Sequence, residues 1–150
     1  AALAPQGVPN ADIVVTSKTG SHLCTIQVKT RSGKGSDGGW HMKQKHEKLT
    51  EARLFYCFVD FKNTEEKPDV YVLPSEVVAE VLFKSHRSWL DKPAKNGAKH
   101  KDSVMRRLLP DYSKSFGDKN PYPKGWLNRY YNNWASLGLQ TTDPTEVVDE

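Results

Sequence analysis

The densest apolar run in the chain is Leu54-Phe-Tyr-Cys-Phe-Val-Asp60, and its lack of polar alternation predicts a central β-strand covered on both faces. Asp69-Val-Tyr-Val-Leu73 has the composition of its hairpin partner, with Asn63-Thr-Glu-Glu-Lys-Pro68 as the turn. Upstream, residues 12–17 and 22–30 are rich in β-branched side chains and flank Lys18-Thr19-Gly20-Ser21, which reads as a second hairpin. Residues 32–39 carry glycine and serine and predict a loop. The stretch 40–53 is polar and only ambiguously helical. At Pro74-Ser75-Glu76 the period changes: Ser75 offers an N-cap, and Val77, Val78, Val81 and Leu82 form the stripe of an amphipathic helix to about Trp89. Residues 91–103 read as a basic loop, and 104–109 as a short helix or strand stopped by Pro110. Trp126, Leu127, Tyr130, Tyr131 and Trp134 recur at helical spacing and predict a last helix over 125–137, ended by Gly138. Strands and helices in this order imply a mixed α/β (α+β) domain: a central sheet of four or five strands flanked by helices.

Charge adds a partner class to this outline. The chain has 150 residues, with 22 Lys and Arg against 18 Asp and Glu. Four of the acids (Asp143, Glu146, Asp149, Glu150) fall in the last eight residues, which contain no Lys or Arg. Ten bases lie between Lys84 and Lys119 against four acids, and eight between Lys18 and Arg53 against three. Two basic blocks on a small domain suit a polyanion, although lysine-rich faces are also common solvated surface. Cys24 and Cys57 sit apart in apolar runs, which reads as two buried free thiols and a reducing, cytoplasmic setting. No apolar run is long enough to cross a bilayer, and no secretory signal opens the chain. It begins Ala1-Ala2-Leu3-Ala4-Pro5 without an initiator Met, so residues upstream are expected to have been lost.

The candidate chemistry lies in the first hairpin. Asp12 opens one strand, and Gln27-Val28-Lys29 closes the next. Alternation puts Gln27 and Lys29 on one face and Val28 on the other. Pairing 12–17 with 22–30 brings Asp12 near Lys29, so a carboxylate, an amide oxygen and an ammonium converge. The plain structural alternative is a surface hairpin with an Asp12–Lys29 ion pair worth about 0–1 kcal/mol.

This arrangement resembles the PD-(D/E)xK nuclease superfamily, with Ala11-Asp12 at the "PD" position and Gln27-Val28-Lys29 at the "(D/E)xK" position. The text around it, Gly7-Val-Pro-Asn-Ala-Asp-Ile-Val-Val and Ile26-Gln-Val-Lys-Thr30, is similar to bacterial branches of that superfamily that carry Gln in place of the acid. Phe55-Tyr-Cys-Phe-Val-Asp60 and Tyr71-Val-Leu-Pro-Ser75 extend the likeness to about residues 7–90. The resemblance implies a restriction-endonuclease-like fold over 1–138, without the acid-bearing helix that usually precedes the first core strand, and an acidic flexible tail over 139–150. It implies divalent-metal-dependent phosphodiester cleavage of nucleic acid, DNA before RNA. Mg²⁺ or Mn²⁺ would be held by Asp12, the Gln27 side chain and the Val28 carbonyl, with Lys29 stabilising the transition state. A homodimer is compatible with it. Gln27, being neutral, leaves one negative charge fewer than the standard motif.

Other signals are weaker. Lys34, Lys99, Lys101, Arg106 and Arg107 are candidate phosphate contacts. His41 and His46 have poor spacing for zinc and no cysteine nearby. His86-Arg87 suits a helix C-terminus. Gly33-Lys34-Gly35-Ser36 lacks the full phosphate-loop pattern, and Ser17 and Ser75 have no base partner in a motif. The aromatics of 126–134 could stack bases, but a core or docking face is the commoner use. Two further functions therefore stand beside the nuclease: a non-catalytic nucleic-acid-binding module on the same fold, and a protein-interaction domain using the aromatic C-terminal segment.

Overall fold

The computed structural model describes residues 1–32, 38–62 and 65–139. A five-stranded mixed sheet is built from β1 (Ala2–Leu3), β2 (Ile13–Thr16), β3 (Leu23–Ser32), β5 (Leu54–Phe61) and β6 (Asp69–Pro74), in the order β1-β2-β3-β5-β6. β4 (Trp40–Lys43) and β7 (Met105–Leu108) form a separate two-stranded ribbon. The α-helix α1 (Ser75–Asp91) follows β6 directly. Short 3₁₀ turns cover Gln44–Glu47, Trp126–Tyr130 and Trp134–Leu137.

β5 owes its position to its composition. Leu54, Tyr56 and Phe58 enter one apolar cluster with Val78, Val81 and Leu82 of α1 and Trp40, Met42 and Leu108 of the ribbon. Phe55 and Cys57 enter the opposite cluster with Cys24, Ile26, Val72 and Leu137. Each fully buried side chain of this size is worth about 1.5–3 kcal/mol, so a strand apolar on both faces belongs in the middle. β5 pairs antiparallel with β6, as the hairpin reading requires, and parallel with β3 from Thr25↔Leu54 to Ser32↔Phe61. Parallel partners need a crossover connection, and the segment carrying β4 and the turn at Gln44–Glu47 supplies it. Cys24 and Cys57 are buried free thiols. No helix among the described residues is long and apolar enough to cross a membrane.

Local expectations are revised or settled at four places. The ambiguous stretch after residue 39 opens as strand β4, with Trp40 and Met42 buried and His41 and Lys43 exposed. Residues 105–108 resolve to a strand. Pro74, not Ser75, stands at the N-cap of α1, and the Ser75 hydroxyl instead donates to the Glu51 carbonyl at 2.6 Å. The expected C-terminal helix is two 3₁₀ turns, separated by Asn132 at φ 48°. There the aromatic rings pack on one another: Trp126 meets Tyr122 at 5.2 Å and Tyr130 at 6.2 Å. The flanking helices of the sequence reading thus reduce to α1 among the described residues. The acidic tail lies outside those residues, apart from the half-buried Leu139.

Candidate functional site

Asp12 is positioned by backbone before any side chain acts. Asn10 takes a left-handed turn at φ 61°, a conformation asparagine tolerates better than most residues. The Asp12 amide then donates to the Ile26 carbonyl at 2.9 Å, and its own carbonyl accepts from Ala4 at 2.8 Å. So held, the carboxylate Oδ2 accepts the Val28 amide proton at 2.7 Å. That amide lies between Gln27 and Lys29 in the chain, so the Asp12 carboxylate reaches β3 at the middle of the Gln27-Val28-Lys29 segment.

Gln27 and Lys29 are register partners of Tyr56 and Phe58, so they share the sheet face that α1 and the ribbon cover. Val28 is opposite Cys57 and packs with the other cluster. The Gln27 Oε1 atom is buried without a hydrogen-bond partner. Burial lowers the Lys29 pKa, and the charges of Lys45 and Lys43 push it the same way. The Asp12 carboxylate opposes them.

The crossover adds residues that sequence reasoning did not connect to this site. Lys43 ends β4, and Lys45 and His46 lie in the 3₁₀ turn that follows. The Lys45 ammonium donates to Asn10 Oδ1 at 3.1 Å, which brings it against the turn leading to Asp12. The Lys43 amide donates to His46 Nδ1 at 2.9 Å, so the neutral ring carries its proton on Nε2. His46 is only 2% exposed, and its ring stands edge-on to Tyr56 with centroids 6.0 Å apart. Burial first, then the charges of Lys29 and Lys45, push its pKa down to about 4. Burial alone pushes the Tyr56 phenol up to about 12. His46 Nε2 and Tyr56 OH, like Gln27 Oε1, are buried without a partner. The available signal was the two-residue alternation of Trp40-His-Met-Lys43, too short to separate strand from helix.

The remaining candidates are dispersed. Lys34 lies outside the described residues. Lys99 and Lys101 are exposed in the irregular segment between α1 and β7. Arg106 is 4% exposed, and its guanidinium is taken up by Glu47 and by the carbonyls of Ser103 and Met105. Its place is inside the fold rather than on a phosphate. Arg107 is half-buried and donates to the Arg106 carbonyl at 3.1 Å. His86 is held by Asp102, with Nε2 to Oδ1 at 2.7 Å, beside Trp89. Among the described residues, no three of His, Cys, Asp and Glu are grouped to hold a metal ion.

The arrangement thus offers one carboxylate, one buried amide oxygen and three ammonium groups at the junction of β2, β3 and the crossover. It can gather phosphate oxygens, and its oxygen donors suit a hard cation better than a soft one. Comparison of this chain with family models, curated proteins and solved structures returns no match.

Proposed function

We propose that this chain is a restriction-endonuclease-like domain of the PD-(D/E)xK type that cleaves phosphodiester bonds in nucleic acid, DNA above all, with Mg²⁺ or Mn²⁺. The observation that carries this reading is the contact of the Asp12 carboxylate with the Val28 amide, between Gln27 and Lys29. It supports the reading because the acid reaches the backbone of β3 at the middle residue of Gln27-Val28-Lys29.

The donor set suits a hard cation by its chemistry. Gln27 Oε1 is a buried acceptor with no hydrogen-bond partner, and Asp12 is exposed with Oδ2 on the Val28 amide. With Asp12 as the sole carboxylate of the set, the ion would keep several waters and bind weakly. Bound there, it would offset charge developing on the phosphoryl oxygens and acidify a water. Lys29, half-buried on the same face, adds a donor aimed at developing negative charge in a low-dielectric setting. Burial lowers the pKa of that donor, and the Asp12 charge opposes it.

The test is nicking of supercoiled plasmid and of branched DNA with Mg²⁺ or Mn²⁺. The wild-type chain should convert substrate, and Asp12→Ala and Lys29→Ala should each lower the rate by at least about a hundredfold. A wild-type chain that leaves DNA and RNA intact at millimolar metal overturns the catalytic reading.

A second reading, the non-catalytic nucleic-acid module, draws on a different observation: Lys29 feels the charges of Lys43 and Lys45 as well as that of the single carboxylate Asp12. It predicts salt-sensitive retention of DNA in EDTA with no cleavage in metal. Retention that does not change between 50 and 200 mM salt would rule it out.

A further inference from the structure

The turn at Gln44–Glu47 is fixed more firmly than a surface connection needs. The Gln44 amide donates to the Val104 carbonyl at 2.8 Å. Glu47 is paired with the buried Arg106, whose guanidinium also grips two carbonyls on the approach to β7. His46 is enclosed beneath the turn and caps the Lys43 amide. Lys45 is tethered to Asn10 at 3.1 Å. Four attachments therefore hold two exposed lysines beside a third, the half-buried Lys29, against one acid. Like charges held together this way destabilise the free protein, and flexible lysines on a loose loop would swing apart. A fixed cluster of this kind is complementary to a row of negative charges, and fixing it beforehand lowers the ordering cost of binding.

We propose that the turn from Lys43 to His46 is the phosphate-gripping wall of the candidate site. Lys43 and Lys45 take the backbone phosphates of a nucleic acid strand that adjoin the phosphate facing Lys29. The partner is a polynucleotide because the lysines come from different elements (β3, β4 and the turn) yet lie near enough for the charges of Lys43 and Lys45 to act on Lys29, with Lys45 held at Asn10, so that successive phosphates of one strand would suit them. His46 and the Glu47–Arg106 pair are the base on which the wall stands and do not touch the strand. This inference rests on the reading of Asp12, Gln27 and Lys29 as the place where a phosphodiester is held, but it does not require that the bond be cut.

The experiment is metal-free binding of a fluorescent duplex and of the matching single strand by anisotropy, in EDTA, over a range of salt. The wild type, the double variant Lys43→Ala/Lys45→Ala and a charge-matched control, Lys67→Ala/Lys84→Ala, are compared after circular dichroism shows each to be folded. The wall variant should bind at least about tenfold more weakly at 0.1 M salt. The slope of log K against log salt should fall by about two, one for each lysine, on duplex, and slightly less on single strand. The control should match the wild type. Equal losses in both double variants would show a general charge effect and overturn the proposal, as would a wall variant that matches the wild type, or a wild type that binds neither probe. Plasmid nicking, run in parallel with metal, keeps the two ideas apart. Binding through the wall without nicking sinks only the catalytic reading, and nicking with unchanged affinity in the wall variant sinks only the wall.

Discussion

His46 sits where three ammonium groups and the floor of the sheet leave no place for another positive charge. The imidazole takes up a proton near its ordinary 6.5 in the unfolded chain, but only near about 4 once folded. Between those values the unfolded chain binds more protons, so stability falls as the pH drops. The contribution is whole above about pH 6.5 and is lost by about pH 4. At most it amounts to about 3 kcal/mol. Urea titrations at pH 7 and pH 4.5 on the wild type and on His46→Gln should show a smaller pH-dependent loss in the variant. Equal losses would place the sensitivity elsewhere. At this scale the sequence was informative where a local rule sufficed. Alternation alone put Gln27 and Lys29 on one face, and β3 displays them so. The sequence shows His46 only at a poor zinc spacing and Tyr56 only as part of an apolar run, because their placement depends on which strands become neighbours, and no local pattern encodes a parallel partner.

Among the elements, the ribbon of β4 and β7 owes much to one buried ion pair. Glu47 and Arg106 are 59 residues apart in sequence and join the crossover turn to β7. Replacing either partner alone leaves a buried charge uncompensated, at a cost of about 3–5 kcal/mol. Arg106→Leu and Glu47→Leu should each lower the urea midpoint sharply, while the double replacement should cost less than either single one. A double variant whose loss equals the sum of the two would mean that the pair contributes nothing as a pair. The elements that were legible and those that were not differ in how many residues speak for them. The nearly unbroken apolar run of β5 and the stripe of α1 are each carried by many residues. β4 has four residues, which fit either period. The aromatic spacing after Gly125 was helical, but the rings of Tyr112, Tyr122, Trp126 and Tyr130 bind one another, and the backbone follows them into short turns.

In the molecule as a whole, the two faces of the sheet are dressed unequally. One carries α1, the ribbon and the candidate site, and the other is closed by Leu137 over Cys24, Ile26, Phe55, Cys57 and Val72. The coarse α/β architecture could be read from the order of apolar runs. The strand order could not, because placing β3 beside β5 depends on contacts across more than 20 intervening residues. The parallel pairing of β3 with β5 forces the chain to loop back over the face that bears Gln27 and Lys29. The crossover therefore belongs to the core as much as to the rim of the site, since its Trp40 and Met42 are buried. Any other connection between Ser32 and Leu54 would have to refill that interior before it could present different side chains beside β3.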